Sequence, residues 1–410
     1  MRSIAKFVGQ TVVICGLSCS VAAVRAAQIP SGTELHIRLT SRVSSADAKA
    51  GSPVAAVLIA PVIVDGQIIL PPGAQLTGDV KAVQAAATDR QKPPSLDLQF
   101  GHIAFGPERS TLTARVAAVD NAKETVDDKG VINGTPASQT YTARMNRGLE
   151  KMAGSERLSG LAGILEAAKK VLVSDADPDV TYDAGVEMTL KTTAALTVAR
   201  PSAGVAAEVQ AIRNTSALAT LVNRMPLRAM STDRRPSDIT NILFVGDGEQ
   251  LASAFEAAGW STAAKLSQQS KFEVARAMIE QRGYKEAPVS VLLVDGRPPD
   301  LVYQKQNDTF DARHHLRIWR RPGSFEGRPV WVCAATHDIG ISYSEREGTF
   351  IHRIDSNIDD ERAKVVNDLI FERKVGSLAL VPRDQVPADA ENATGDPLHT
   401  DGQVAVIVLR

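Results

Sequence analysis

The stretch Arg313-His314-His315-Leu316-Arg317-Ile318-Trp319 decides how the C-terminal half of this chain folds. Apolar and polar residues alternate along it, which predicts a β-strand because successive side chains of a strand point to opposite faces of a sheet. Leu316 and Ile318 then share one face with His314. The other face carries Arg313, His315, Arg317 and Trp319, a dense group of side chains suited to recognition and acid–base chemistry.

A partner strand is predicted from Val330 to His337, after a loop that contains Pro322-Gly323. If the apolar residues Val330, Val332 and Ala334 lie on the same face as Leu316 and Ile318, Trp331, Cys333, Ala335 and His337 lie on the opposite face. The hairpin then brings together Arg313, His315, Arg317 and His337. His314 is expected on the apolar side, as a buried and hydrogen-bonded core residue.

The hairpin and the segment after it supply the candidate functional residues. Imidazoles and carboxylates can ligate a divalent metal or act as an acid–base pair, and two guanidinium groups can hold an anion such as phosphate. The catalytic candidates are His315, His337, His352 and Asp355, the metal-ligand candidates are His315, His337 and His352, and the ligand-binding candidates are Arg313, Arg317, Trp319 and Asp338. A catalytic or metal site, a binding face and a structural polar network are all open at this point, and a divalent metal is the candidate cofactor.

Around this hairpin the sequence predicts an α+β domain with a mainly antiparallel sheet. Strands are predicted at 239–246, 289–294, 300–304, 349–354 and 403–409, and helices at 249–258, 272–281 and 359–371. Asp359, Asp360 and Glu361 suit the N-terminus of the last helix, where carboxylates cap free N–H groups. The turn Val245-Gly246-Asp247-Gly248 resembles a phosphate-binding loop, but it lacks the Lys of a P-loop, and a capped strand–helix turn is the simpler interpretation.

Several separated motifs in this half resemble the LssY C-terminal domain family. The motifs are the 313–319 stretch, Ala335-Thr336-His337-Asp338-Ile339-Gly340, His352-Arg353-Ile354-Asp355 and Asp359-Asp360-Glu361-Arg362, and the resemblance runs from about 239 to 370 with a further match at 400–404. The resemblance implies a domain associated with bacterial envelopes and secretion loci. Family members are often fused to membrane phosphatase-like segments, and no such multi-span region is recognised here, so that activity does not transfer.

The N-terminal half, from 28 to 198, is predicted to be a β-rich domain of barrel-like or sandwich-like form with one inserted amphipathic helix at 158–172. Short apolar strands alternate with turns such as Val64-Asp65-Gly66-Gln67 and Pro71-Pro72-Gly73. Residues 31–38 echo residues 184–191, which suggests two related strands, first and last in one domain. The segments 29–35, 65–74 and 76–78 resemble the β-barrel module of TrbI-type envelope channel proteins, although the proline-rich linker of that family is missing.

Bulk properties set the remaining limits. A chain of 410 residues is long enough for two domains, and a connector is expected at 199–237 with the second domain at 238–410. The formal net charge of -1 excludes non-specific nucleic-acid binding as the main role, because that role needs a basic surface. The expected partners are an envelope protein or a small anionic ligand.

The first 26 residues resemble a secretory signal peptide. Arg2 and Lys6 precede an apolar run, and Val24-Arg25-Ala26 offers small residues at the cleavage positions. We therefore expect Sec-dependent export to the periplasm or outer cell envelope of a bacterium. An uncleaved membrane anchor and a lipid at Cys19 are the alternatives, and the helix at 158–172 is a further candidate for membrane contact.

Together these features predict an exported envelope protein that acts as a binding or accessory module. The alternative is a metal- or His-dependent hydrolase, of phosphoesterase type, that uses the C-terminal His/Arg/Asp cluster. Cleavage at residue 26 would leave Cys333 as the one remaining cysteine. A single cysteine excludes an internal disulfide and a metal site built from several thiolates.

Overall fold

The fold is described from a computed structural model. It describes residues 26–65, 67–86, 91–140, 143, 146–147, 150, 178–199, 209–213, 215–262, 291–305, 312–344, 349–387 and 389–410. Four predicted features lie outside these residues: the signal peptide up to residue 25 with Cys19, the helix at 158–172, the helix at 272–281 and most of the strand at 289–294.

The N-terminal domain is a closed β-barrel. Its elements are β1 (Ala26–Ile29), β2 (Glu34–Leu39), β3 (Val43–Ser44), β4 (Pro53–Leu58), β5 (Val62–Val64), β6 (Gln67–Leu70), β7 (Gln75–Gln84), β8 (Ser95–Phe105), β9 (Glu108–Val119), β10 (Thr125–Val126), β11 (Val131–Asn133), a 3-10 turn (Ala137–Gln139), β12 (Thr181–Tyr182), β13 (Glu187–Thr192) and β14 (Leu196–Ala199). Six of them pair in the order β8-β7-β4-β2-β13-β9, and β8 also pairs with β9, which closes the ring. The predicted β-rich, barrel-like domain is thereby confirmed.

Alternation along the strands fills the barrel. In β2 the side chains of Leu35, Ile37 and Leu39 are buried while Glu34 and His36 are exposed, so each strand contributes every second residue to the interior. The echoing segments are neighbours, because β2 pairs antiparallel with β13 from Glu34↔Lys191 to Arg38↔Glu187. The turn at Asp65 joins β5 to β6 as a hairpin, as predicted.

The C-terminal domain is built on a mixed, mainly antiparallel sheet. Its elements are β15 (Gln210–Ala211), α1 (Thr215–Arg224), β16 (Arg228–Ser231), β17 (Pro236–Ile239), β18 (Ile242–Val245), α2 (Gly248–Ala257), β19 (Trp260–Thr262), β20 (Leu292–Leu293), β21 (Leu301–Lys305), β22 (Ala312–Phe325), β23 (Arg328–Ser344), β24 (Thr349–Ile354), α3 (Ile358–Phe371), β25 (Val375–Pro382), β26 (Asp389–Glu391), β27 (Pro397–His399) and β28 (Gln403–Leu409). The main sheet runs β15-β25-β28-β18-β23-β22-β21-β19, with β24 paired to β23. Only the β15–β25 and β18–β28 pairs of this described sheet are parallel, so the predicted α+β class is confirmed.

Both faces of this sheet are covered. Leu316, Ile318 and Cys333 pack with α2 and α3 on one side. Trp319, Val332 and Ala334 pack on the other side against Ala229 of β16 and Leu292 of β20. A sheet buried on both sides has no single apolar face.

This double burial makes the predicted register of the central hairpin wrong. In the structure His314 lies directly opposite His337, and His315 lies opposite Thr336. His337 therefore shares a face with His314, Leu316 and Ile318, not with Arg313 and His315. The prediction placed Val332 on the same face as Ile318 because both are apolar. Cys333 and Ala335, on the other face of β23, are buried just as completely, so apolar character does not identify the face that Ile318 shares.

Part of the predicted connector belongs to the C-terminal domain. Residues 210–211 pair in parallel with β25, and β16, within the same stretch, pairs with both β17 and β20. The turn before α2 is a capped helix start, as the simpler interpretation held: Asp247 and Gln250 form a reciprocal capping box. None of the helices in the described part of the chain has the length and apolar character needed to span a bilayer.

Candidate functional site

The candidate site lies where the barrel meets the C-terminal domain. His314 of β22 and His337 of β23 are paired across the hairpin. Their rings stack with centroids 4.0 Å apart and planes 16° from parallel. Facing them are Asp120 and Asn121, which follow the last residue of β9 at the barrel rim. Asn121 is buried and has a φ of 53°, in the left-handed region that Asn tolerates better than most residues.

His314 is held between carboxylates from the two domains. Its Nε2 donates to Asp120 at 2.9 Å, and its Nδ1 donates to Glu361 of α3 at 2.6 Å. Since both nitrogens bond to carboxylate oxygens, the ring carries both protons and a positive charge. Burial disfavours that charge, but Asp120 and Glu361 outweigh burial and raise the pKa of His314 to about 10.

His337 is the neutral member of the pair. Its Nε2 donates to the side-chain oxygen of Asn121 at 2.9 Å. Burial and the neighbouring charge of His314 lower the pKa of His337 to about 4. Near neutral pH the stack therefore joins one imidazolium to one neutral imidazole, and the neutral ring retains a nitrogen lone pair.

Helix α3 presents three charged residues to the barrel. Glu361, Lys364 and Asp368 are spaced three and four residues apart, so they lie on one helix face. The ammonium of Lys364 contacts Glu187 of β13 and lies 3.5 Å from Asp120. Burial disfavours the charge of Lys364, but Asp368 and Glu187 outweigh it and raise the pKa of Lys364 well above its usual value.

A second lysine completes the ionic network. The ammonium of Lys305 lies 2.6 Å from Asp368 and 3.3 Å from Glu187. Burial alone would raise the pKa of Glu187, but Lys364 and Lys305 outweigh burial and lower it to about 2. Arg38 of β2 pairs with the same Glu187 at 3.0 Å and reaches Glu372 at 3.2 Å. Charges of both domains thus neutralise each other across the contact.

A cavity of about 420 Å³ opens beside this network. Among the described residues, its wall contains seven carboxylate residues and one lysine, Lys364. The carboxylates are Glu34, Asp120, Glu187, Asp355, Asp360, Glu361 and Asp368. Glu361 Oε1 is buried and accepts no hydrogen bond from the described residues. The cavity is therefore acidic and lies against both domains.

The predicted arginines lie on the opposite side of the sheet, in a separate buried network. Arg313 donates to Asp338 at 3.1 Å, and Arg317 donates to Asp238 at 2.9 Å. Burial raises the pKa of Asp338 to about 6, although Arg313 and Arg317 oppose the rise. These guanidinium groups already have carboxylate partners inside the fold, which gives them a structural role and argues against the predicted anion site.

The other predicted residues are dispersed. His315 bonds Thr336 at 2.6 Å on the arginine side, so it does not converge with His337. Trp319 is buried and its indole N–H donates to Arg297 O at 3.2 Å. The backbone of His352 lies in β24, and its side chain is outside the described residues. Asp355 lines the acidic cavity and its backbone N–H donates to His337 O at 2.8 Å.

Sequence reasoning missed the residues that complete the site. Asp120 and Glu187 belong to the other domain, and Asp120 stands 194 positions before His314. Nothing in their local sequence marks them. The spacing of Glu361, Lys364 and Asp368 is a usable signal, but an alternating charge stripe on a helix usually indicates a solvent-exposed face.

Comparison with known proteins confirms one resemblance. Residues 222–404 match the family model described as the LssY C-terminus, from α1 to β28. Among solved structures, ComB10 of the Com type IV secretion system of Helicobacter pylori matches 42% of this chain and 89% of its own, with 9% identity and a TM-score of 0.22. That TM-score supports no conclusion about fold or function. The curated proteins contain no match.

Proposed function

We propose that this chain, whose residues 222–404 match the LssY C-terminus family model, is a binding module of the bacterial envelope whose ligand site is the acidic cavity between the two domains. One observation carries the proposal: in the part of the chain that the structure describes, seven carboxylate residues from both domains and one lysine line a cavity of about 420 Å³. That volume lies in the range of small-molecule sites, roughly 300–1,000 Å³.

The ligand proposed for this site carries a positive charge, as an alkylammonium or guanidinium group. Glu187 and Asp368 are already neutralised by lysines. Asp355, Asp360 and Glu34 have no such cation among the described residues, and desolvation together with Asp355 and Asp359 raises the pKa of Asp360. A bound cation would relieve this repulsion between like charges.

The same geometry favours binding over hydrolysis. The hydrolase alternative needs His315, His337 and His352 close together, and His315 lies on the other face of the sheet from His337. The sequence predicted a small anionic ligand held by Arg313 and Arg317. Because both arginines bond to carboxylates inside the fold, we propose a cationic ligand instead.

Isothermal titration with spermidine and with lysine amide tests the ligand class. Both amines are expected to bind, and inorganic phosphate is not. Asp355→Asn and Asp360→Asn should each weaken binding, whereas Asp128→Asn, an exposed carboxylate in a barrel loop, should leave it unchanged. Equal binding of amines by the wild type and by an Asp355→Asn/Asp360→Asn double variant would remove the cavity from the proposal.

The envelope location is a separate part of the proposal, supported by the charged and apolar N-terminal segment. Expression of the full chain in a Gram-negative host, followed by fractionation and N-terminal sequencing, tests it. We expect periplasmic or membrane-attached protein that begins near residue 27. Full-length protein confined to the cytoplasmic fraction would contradict export.

A further inference from the structure

We infer that Asp120, His314 and His337 form a site for one divalent transition-metal ion at the edge of the acidic cavity. The inference rests on the cavity being a binding site, as proposed above, but not on which organic cation enters it. It names a ligand set that draws one residue from the barrel and two from the C-terminal domain.

The three side chains already cluster as a metal site requires. One ligand atom from each residue can be chosen so that all three lie within 4.8 Å of one another. A tetrahedral Zn²⁺ with ligand distances of about 2.1 Å places its ligand atoms about 3.4 Å apart. The widest pair, at up to 4.8 Å, must therefore approach, while His314 Nε2 and Asp120, now 2.9 Å apart, must separate slightly. Two imidazoles and one carboxylate are the nitrogen and oxygen donors that Zn²⁺ and similar ions accept.

The surroundings of His314 match those of a metal-binding histidine. Such residues usually donate their second ring N–H to a carboxylate, which fixes the ring and the nitrogen that faces the metal. Glu361 is this carboxylate, since it accepts a hydrogen bond from His314 Nδ1 at 2.6 Å. Nε2 then points at Asp120, which is the side where the ion would sit.

Glu361 supplies an independent observation. Its side chain is buried, and Oε1 has no hydrogen-bond partner among the described residues. An orphaned carboxylate oxygen inside a protein is costly. Replacing the Nε2 proton of His314 by a divalent cation adds one net positive charge beside Glu361, which would compensate this carboxylate.

Metal binding exchanges a proton for the ion. Without metal, a proton lies between His314 Nε2 and Asp120. On binding, that N–H bond breaks, the proton passes to solvent, and the freed lone pair binds the cation. The stacked rings must tilt out of their 16° arrangement, because nearly parallel rings aim their lone pairs side by side.

Three protein ligands leave coordination positions on the cavity side. His337 and Asp120 are only partly buried and both line the cavity, so a water or a ligand group can complete the coordination. Because Asp120 comes from the barrel and the histidines from β22 and β23, the ion would also cross-link the two domains.

The test is titration of the full chain with Zn²⁺ after exhaustive dialysis against a chelator. We expect one Zn²⁺ per chain by isothermal titration and elemental analysis. Asp120→Asn and His337→Gln should each weaken binding by at least roughly tenfold, since even outer partners of metal ligands contribute that much. His399→Gln, which removes an exposed histidine, and Cys15→Ser/Cys19→Ser should bind like the wild type.

Circular dichroism checks that each variant is folded. If a variant unfolds, the wild type still decides the question through Cu²⁺ electron paramagnetic resonance, where two imidazole ligands give nitrogen hyperfine structure. Absence of stoichiometric Zn²⁺ binding, equal binding by His337→Gln and His399→Gln, or a Cu²⁺ spectrum without imidazole nitrogens would each overturn the site.

The outcomes separate this inference from the proposed function. Amine binding without Zn²⁺ binding would remove the metal site and leave the cationic-ligand cavity in place. Zn²⁺ binding that depends on His337, with no amine binding, would establish the metal site and remove the amine ligand.

Discussion

At the scale of single residues, the interior of this protein holds charges that are compensated one by one. His314 is an imidazolium between Asp120 and Glu361, and Lys305 bonds Asp368 and the backbone carbonyl of Ala258. A buried charge is tolerated only when partners replace its water. Removing one partner of such a pair is therefore more damaging than removing an exposed charge.

Cys333 shows the opposite case of a buried group that stays neutral. Burial, and then the charge of Glu361, raise the pKa of its thiol far above the usual range. A thiol reacts as its thiolate, so in a Cys15→Ser/Cys19→Ser protein we expect no reaction with an aromatic disulfide reagent under native conditions. One thiol per chain should react after unfolding in guanidinium chloride, and rapid native labelling would contradict the burial.

Residue-level prediction from the sequence succeeded where chemistry is local. The burial of His314 with hydrogen-bond partners was predicted and is confirmed. The identity of one partner, Asp120, was not predictable, because a contact across 194 positions leaves no local pattern.

At the scale of elements, α2 is a helix whose start is specified by its sequence. The Gln250 N–H donates to Asp247 at 2.8 Å, and the Asp247 N–H donates to the Gln250 side chain at 3.0 Å. Asp247→Ala removes the first bond and is expected to lower the free energy of unfolding by about 1 kcal/mol. Urea unfolding monitored by tryptophan fluorescence measures this loss of stability, since the C-terminal domain contains Trp260, Trp319 and Trp331.

The matched control for this cap is Glu249→Ala, in the same turn. Glu249 is exposed and is not the capping residue, so its removal should change the urea midpoint much less. Identical midpoints for the two variants would show that the cap contributes nothing measurable.

Strand β7 carries a close backbone approach that only glycine permits. A Cβ on Gly78 would lie 2.0 Å from the carbonyl oxygen of Gln99 in β8, at a shift of register. Gly78→Ala is therefore expected to lower barrel stability by about 1–3 kcal/mol or more, as overpacking does. Gly101→Ala is the control because its Cβ would meet nothing within 4 Å. Thermal unfolding by circular dichroism compares them, and equal midpoints would contradict the close approach.

Element types were easier to predict than their pairing. Helix α3 was predicted within one residue, and the β-strand character of 313–319 was correct. The register between β22 and β23 was predicted wrongly. Alternation identifies the residues that share a face of one strand, but it does not identify which faces of two strands lie on the same side of the sheet when both faces are apolar.

At the scale of the whole molecule, the two domains are joined by an ionic contact centred on Glu187. Its folded-state pKa of about 2 lies below the unfolded value of about 4.3. The unfolded chain therefore binds the proton first as the pH falls, and the stabilisation by Glu187, complete above about pH 5, is lost progressively down to about pH 2.

Glu187→Gln tests this pH dependence. At pH 7 the variant is expected to be less stable than the wild type, since Lys364, Lys305 and Arg38 lose their shared anion. Between pH 5 and pH 3 the wild type should lose more stability than the variant, and urea midpoints at several pH values measure the difference. Parallel pH profiles for the two proteins would show that Glu187 is not protonated on acid unfolding.

Both fold classes were predicted from strand and helix patterns and are confirmed, whereas the contact between the two halves was not predicted. Each half has its own hydrophobic core, and such cores leave a periodic signal in the sequence. The interface is ionic and uses isolated residues from distant strands, so it has no period to detect.

The pairing of Asp120 and Asn121 with the two stacked histidines has a consequence for how the chain acquires its shape. These bonds join residues 194 and 216 positions apart, and contacts of such long sequence separation form slowly because the intervening chain must first be ordered. The barrel is synthesised first, so Asp120 and Glu187 lack their ionic partners until the C-terminal half has folded and docked onto the barrel. Docking of the two halves is therefore expected to be the last kinetic phase of refolding.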